Sequence, residues 1–191
     1  NAVIALLLII QSLLVFIPTR IPGFTTTKRL VNPNPYKERL TDVADYLCGI
    51  SKDEGIYTYV ATGDNNFCDD AIRNVLLPDV DFPNMVSYIF DIRDGFPRDF
   101  GSIKYFVLSE PIFYMDENYQ HMYKVISEAI MYDENISSIF EKVKEFELED
   151  HTKAYVYEQI GEYTYEMKEY FYNKMLEYYP EKSDYFSYIL Q

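Results

Sequence analysis

Three runs of β-branched and aromatic residues, each followed by turn-forming residues, constrain most strongly what this 191-residue chain can fold into. The runs lie at 55–61, 85–91 and 103–109, and their composition predicts strands. Segments with helical periodicity separate or follow them. Because a helix between two strands returns the chain to the same end of the sheet, this order favours parallel strands. The sequence therefore predicts a three-layer α/β/α domain with a mostly parallel sheet.

Later in the chain, a different pattern predicts antiparallel strands. Residues 143–148 and 153–159 alternate between apolar and polar side chains, and the segment Glu-Asp-His-Thr separates them. Alternation with a period of two is typical of strands, and a short polar connection indicates a β-hairpin that extends the sheet. Apolar stripes with a helical period predict five helices, over 35–49, 68–76, about 122–130, about 164–179 and 182–190.

The first residues of the chain are unlike the rest. Thirteen of the fifteen residues from Val3 to Ile17 are apolar, and none is charged. A complete membrane span needs about 20 apolar residues, whereas a helix of this length reaches roughly 22 Å. The segment can be the outer part of a longer transmembrane helix, a buried core helix, or a signal sequence or lone anchor. The first reading predicts a hydrophobic N-terminal helix that precedes the α/β domain.

We favour a longer transmembrane helix, and this reading divides the chain into three parts. Asn1-Ala2 resembles the remainder of a cleaved expression tag, so the natural chain is expected to continue upstream. Residues 1–17 would end a transmembrane helix, the proline-rich residues 18–35 would be a linker, and residues 36–191 would form a soluble domain. Outside a bilayer, we expect the apolar helix to lie in an apolar groove of its own domain or of a neighbouring copy.

The charge of the chain excludes one class of partner. A formal net charge of −14 argues against nucleic acid, because phosphate binding requires a basic surface. Residues 1–37 contain four basic and no acidic residues, whereas residues 133–191 contain 14 acidic and 6 basic ones. A basic neck and an acidic body suit a domain held near an anionic membrane surface but kept off it. The two cysteines, Cys48 and Cys68, can be paired or separate.

Polar residues follow each predicted parallel strand, at the end of the sheet where α/β folds bind their ligands. Together they could form a polar rim that binds sugar hydroxyls or a cation. The alternative is turn formation, because Asp and Asn cap helices and Asp-Gly forms tight turns. The candidate binding residues are Asp64, Asn65 and Asn66 after the first strand, Asp91, Arg93 and Asp94 after the second, and Glu110 after the third.

The sequence contains no motif for catalysis. The segment Thr-Gly-Asp-Asn-Asn lacks the glycine spacing of a phosphate-binding loop, and Gly-x-Ser-x-Gly does not occur. Histidine and cysteine are too few for a zinc site. We therefore predict no catalytic residue, no metal and no cofactor. The chain has 20 tyrosines and no tryptophan, and tyrosine presents a flat apolar ring with a polar tip.

The order of several motifs resembles that of a known family. An apolar segment that ends in proline precedes a helix, a strand with a polar turn, two further strand-like segments, a hairpin and a tyrosine-rich helix. The segments that carry the likeness are PYKERLTDVADYL, YVATGDNN, FDIRDGFP, IKYFVLSEP, KAYVYEQI and YYP. Over residues 3–190, the chain resembles the C-terminal extracytoplasmic domain of bacterial multi-spanning membrane glycosyltransferases. These belong to the GT-C class and are similar to dolichyl-phosphate-mannose protein mannosyltransferases.

The resemblance implies a role in sugar transfer outside the cell. Whole proteins of this type transfer a sugar from a polyprenyl-phosphate donor, and their catalytic acids lie in loops between early membrane helices. None of those loops is in this chain, so the resemblance implies a non-catalytic domain that positions an acceptor or partner outside the cell membrane. Two other functions stay open: a single-pass anchored binding domain of the cell envelope, and a free-standing α/β enzyme that uses Asp64, Asp91 and Asp94.

Overall fold

The computed structural model describes residues 36–51, 56–64, 66–75, 85–86, 95–98, 100–113 and 121–191. The predicted apolar helix at Val3–Ile17 and the predicted linker at 18–35 lie outside these ranges and stay predictions. Within the described ranges, no helix combines the length and the apolar character that crossing a bilayer requires. Cys48 and Cys68 are both described, and no disulfide joins them.

Each predicted helical segment contains a helix in the structure. The first apolar stripe is buried as predicted, because Leu40, Val43, Ala44 and Leu47 are fully enclosed. The segment predicted over 182–190 is divided between a short α-helix and 3₁₀ turns on either side of it. The α-helices are α1 (Lys37–Ile50), α2 (Asp69–Val75), α3 (His121–Tyr132), α4 (Glu134–Ser137), α5 (Tyr165–Tyr178) and α6 (Ser183–Phe186).

The strands are β1 (Tyr57–Val60), β2 (Met85–Val86), β3 (Ile103–Glu110), β4 (Phe140–Glu147) and β5 (Lys153–Gln159). They form one open sheet in the order β2-β1-β3-β5-β4. β1 is parallel to β2 and β3, whereas β5 is antiparallel to β3 and β4. The predicted mixed α/β fold and the hairpin that extends the sheet are therefore confirmed. With two pairings of each kind, the sheet is mixed rather than mostly parallel.

Local side-chain chemistry sets where two of the helices begin. The Thr164 hydroxyl accepts a hydrogen bond from the Met167 N–H at 3.3 Å, which caps the start of α5. One carboxylate oxygen of Asp133 accepts from the N–H groups of Asn135 and Ile136, both at 3.0 Å, and so caps α4. These caps fix the first residues of α4 and α5.

Two separate clusters of buried side chains cover the two faces of the sheet. Along β3, Phe106 and Leu108 belong to one cluster and Val107 to the other, as the alternation of side chains in a strand requires. We call the cluster that includes α1 and α2 the aliphatic core; it contains Leu40, Val43, Leu47, Val60, Ile72, Val107 and Val156. We call the cluster that includes α3 and α5 the aromatic core; it contains Tyr59, Phe96, Phe100, Phe106, Tyr123, Phe140, Phe171, Tyr179 and Phe186.

Candidate functional site

The loop after β1 uses its predicted site residues to form a turn. One carboxylate oxygen of Asp64 accepts hydrogen bonds from the N–H groups of Asn66 at 2.7 Å and Phe67 at 3.2 Å. This arrangement is an Asx-type turn, which is the alternative that the sequence left open. The structure therefore places Asp64 and Asn66 in the turn before α2, and the Asp64 carboxylate is occupied by backbone groups.

The loops that follow β1 and β3 meet at one end of the sheet. The N–H of Gly63 donates to the carbonyl of Phe113 at 2.9 Å, and the N–H of Phe113 donates to the Ser109 hydroxyl at 3.3 Å. Asp64 and Glu110 thus lie at the same end of the sheet, as parallel strands require. The other predicted rim residues, Asn65, Asp91, Arg93 and Asp94, lie outside the described residues.

Glu110 is the last residue of β3 and is exposed. Its side-chain carboxylate is contacted by two tyrosine hydroxyls. The hydroxyl of Tyr155 on β5 donates to one oxygen of the Glu110 carboxylate at 2.5 Å. The hydroxyl of Tyr132, at the end of α3, lies 3.5 Å from the other oxygen. Glu110 therefore joins a strand end, the neighbouring antiparallel strand and the end of a helix.

A second carboxylate holds two lysines beside this group. Lys153 stands opposite Glu110 across the β3–β5 pair, and its ammonium lies 2.8 Å from one oxygen of Glu145. Lys142 lies 3.0 Å from the other oxygen of Glu145, and its ammonium is 4.7 Å from the centre of the Tyr155 ring. We call this set the strand-end cluster; it consists of Glu110, Tyr132, Lys142, Glu145, Lys153 and Tyr155.

The electrostatics of the strand-end cluster favour protonated tyrosine hydroxyls and a charged Glu145 carboxylate. Burial and the hydrogen bond to Glu110 raise the pKa of Tyr155. Partial burial and the charge of Glu110 raise the pKa of Tyr132. Hydrogen bonds from Lys153 and Lys142 lower the pKa of Glu145. At neutral pH the cluster thus presents hydroxyl and ammonium donors next to carboxylate acceptors.

The two tyrosines of the strand-end cluster differ in exposure. Tyr155 is only 7% exposed, so its ring is fixed between its neighbours, whereas Tyr132 is 61% exposed and offers a ring face to solvent. An exposed aromatic ring beside charged donors and acceptors is a surface for binding a polar ligand with an apolar face. Among the described residues, no group of His, Cys, Asp and Glu side chains is arranged to hold a metal ion.

Sequence reasoning found one residue of this cluster and missed the others. Glu110 was identified because it follows a strand, but Tyr132 and Tyr155 lie 22 and 45 residues further along the chain. The signal for Tyr155 was its place in the alternating pattern of β5. That pattern shows which residues share a face, but it does not give the register with β3 that places Tyr155 beside Glu110.

No protein-family model matches the chain, and no curated protein or solved structure matches it either. The geometry of the described residues and the resemblance noted from the sequence are therefore what bear on function.

Proposed function

We propose that residues 36–191 form a non-catalytic binding domain whose strand-end cluster holds a carbohydrate. The observation that carries the proposal is the exposed Tyr132, whose hydroxyl lies 3.5 Å from the Glu110 carboxylate, with Lys153 opposite Glu110 across the β3–β5 pair. A sugar presents hydroxyl groups that both donate and accept hydrogen bonds, and its ring has an apolar face. Carboxylate and ammonium groups match the hydroxyls, and an aromatic ring packs against the apolar face.

The state of the carboxylates supports binding rather than catalysis. A general acid needs a carboxyl group whose pKa is raised towards neutrality. Glu145 has the opposite shift, because two lysines hold its charged form. Glu110 accepts a hydrogen bond from the Tyr155 hydroxyl. Both groups are thus suited to accept hydrogen bonds from a ligand.

The sequence supports a place for this domain in a larger membrane protein. We infer that the chain is the extracytoplasmic part of a multi-spanning membrane glycosyltransferase, attached to the cell membrane through Val3–Ile17. The domain would then position a glycan acceptor for transfer from a polyprenyl-phosphate donor. The support is the resemblance and the uncharged apolar segment. If the gene encodes no hydrophobic spans upstream of Val3, the inference of a multi-spanning protein is wrong, but the proposal of a carbohydrate site is unaffected.

Carbohydrate binding can be tested with the 191-residue chain in detergent. Neutral oligosaccharides of glucose, mannose and N-acetylglucosamine are titrated, and backbone amide shifts are followed by NMR. We expect saturable binding of at least one series, with shifts at Glu110 and Lys153. The substitution Tyr132→Ala should weaken that binding about three- to tenfold, because it removes the stacking ring.

A matched control is available on another helix. Tyr165, the first residue of α5, is 58% exposed and lies outside the strand-end cluster. Tyr165→Ala should leave the affinity unchanged. Equal losses in the two variants, or the absence of saturable binding for all three sugar series, would overturn the proposal.

A further inference from the structure

A small cavity lies between residues 96–98 and 100–101, helix α5 and the 3₁₀ turn Ser187–Leu190, which we call the C-terminal turn; none of the six residues of the strand-end cluster lines it. Its volume is about 110 Å³. Its apolar lining is largely aromatic: the rings of Phe96, Phe100 and Phe171 lie with their centres 4.6 to 5.0 Å apart, and all three residues are buried. Such close ring packing makes a rigid apolar surface.

The segment 95–98 is held against the C-terminal turn by specific contacts. The Tyr188 hydroxyl donates to the Phe96 carbonyl at 2.5 Å. Gly95 has a φ of 55°, and a β-carbon at this position would lie 2.9 Å from the Tyr185 ring. Backbone and aromatic contacts therefore position this wall of the cavity.

Two cations lie among the residues that line the cavity. The Arg98 guanidinium is 5.3 Å from the centre of the Tyr188 ring, and the Lys168 ammonium donates to the Gln191 carbonyl at 3.1 Å. Arg98 is exposed and Lys168 is half-buried. A guanidinium has five N–H donors and an ammonium has three, so both retain capacity for a further acceptor.

The lining of this cavity differs in charge from the chain as a whole. Among the described residues that line it, two side chains are basic and none is acidic, so the lining stays positive even with the terminal carboxylate of Gln191 in the 191-residue chain, although the chain carries 31 acidic residues and a net charge of −14. A groove beside α4 and α5 is lined by Asp133 and Glu166, and a groove between α1 and β4 includes four acidic residues. The cavity therefore differs from both grooves in that it attracts anions.

We propose that this cavity binds a small aromatic carboxylate of the size of benzoate. Apolar cavities of about 150 Å³ in proteins accept a benzene ring, and this cavity is slightly smaller but open on one side. The ring of the ligand lies against Phe96, Phe100 and Phe171. Its carboxylate remains at the opening, where Arg98 and Lys168 donate charge-assisted hydrogen bonds. This site is independent of the strand-end cluster and of the proposed function.

Three probes separate the contributions of ring and charge. Benzoate, benzyl alcohol and acetate are titrated into the 191-residue chain, with amide shifts recorded by NMR. We expect benzoate to bind at least about fivefold more tightly than either of the others, because only benzoate has both the ring and the charge. The largest shifts should occur at Gly101 and Ile189, which line the cavity.

Amino-acid substitutions test whether benzoate binds in this cavity. Arg98→Gln and Lys168→Gln should each weaken benzoate binding about fivefold. The control is Lys174→Gln, on the same helix but paired with Glu177 at 2.9 Å and outside the cavity, and it should leave the affinity unchanged. Gly101→Leu should abolish binding by filling the cavity. Among the described residues, the nearest contact of a β-carbon at this position is the Tyr163 ring, at 4.0 Å.

Several results would overturn the proposal. Equal affinities for benzoate and benzyl alcohol would show that the cations play no part. The absence of saturable benzoate binding, or an equal loss in Lys174→Gln and Lys168→Gln, would show that no anion site exists in this cavity. Tyr132→Ala should not affect benzoate binding, so the proposal of a benzoate site and the proposal of a carbohydrate site can be tested independently.

Discussion

The two faces of the sheet are covered by cores of different composition. Nine of the twenty residues in the aromatic core are aromatic, whereas only two of the twelve in the aliphatic core are. The aliphatic core packs α1 and α2 through branched and small side chains, which have no polar groups. The aromatic core includes tyrosines, and their hydroxyls need partners wherever the core reaches the surface.

This difference explains why both proposed sites lie on the same side of the sheet. Tyr155 pairs with Leu108 and Tyr157 with Phe106, so these tyrosines extend the aromatic face to the edge of the domain. At one border the Tyr155 hydroxyl meets the Glu110 carboxylate within the strand-end cluster. At another border the rings of Phe96 and Phe171 surround the cavity. The aliphatic core packs helices against the sheet, whereas the aromatic core also borders the two proposed binding sites.

The largest predicted effect tests whether the two cores are independent. Phe171→Ala in the aromatic core should lower the free energy of unfolding by about 3–5 kcal/mol, and Leu40→Ala in the aliphatic core by about 2–5 kcal/mol. Because the sheet separates the two clusters, the double variant should show the sum within about 0.5 kcal/mol. Urea unfolding measures all three values, and a coupling above about 1 kcal/mol would show that the faces form one cooperative core.

A smaller difference in stability should distinguish two glycines, Gly95 near the aromatic core and Gly49 in helix α1. Gly95→Ala should destabilise the domain by about 1–3 kcal/mol, because the left-handed φ of 55° and the Tyr185 ring at 2.9 Å both disfavour a side chain. Gly49 lies in α1, and apart from its neighbours in the helix no atom of the described residues lies within 4 Å of its ideal β-carbon position. Gly49→Ala should therefore stabilise the domain by about 0.5 kcal/mol. Thermal unfolding measures both changes, and a neutral Gly95→Ala would mean that segment 95–98 can move away from the C-terminal turn.

Elements defined by local periodicity were predictable from the sequence. The stripe from Leu40 to Leu47 predicted α1 because residues three and four apart share a helix face, and these residues are buried. The alternation over 153–159 predicted β5 for a similar reason. What local pattern cannot give is the order of strands. β5 lies between β3 and β4, and this choice depends on tertiary packing.

The candidate sites were less predictable, because their residues are distant in sequence. Asp64 was a candidate for a binding rim, and turn formation was the other reading of this residue. In the structure, one oxygen of its carboxylate accepts from the N–H groups of Asn66 and Phe67, as the turn reading predicts. In the cavity, the contact between Tyr188 and Phe96 spans 92 residues. No spacing rule within a helix or strand relates positions so far apart.

The smallest predicted effect concerns Tyr155 and its dependence on pH. Tyr155→Phe removes the hydrogen bond to Glu110 and should cost about 1 kcal/mol at neutral pH. Burial and Glu110 raise the pKa of Tyr155 in the folded state, whereas the unfolded value is about 10. Above pH 10 the unfolded chain therefore releases a proton that the folded chain retains, so the free energy of unfolding falls as the pH rises.

Tyr155→Phe has no such proton, so the stability difference between this variant and the unchanged chain should narrow above pH 10. Urea unfolding at pH 7, 9 and 10.5 measures the difference, and Tyr165→Phe, outside the cluster, is the control. A difference that stays constant across this range would mean that the Tyr155 hydroxyl is not held by Glu110 in solution. The strand-end cluster would then lose the contact that fixes its carboxylate, and the contrast between the two faces would reduce to packing alone.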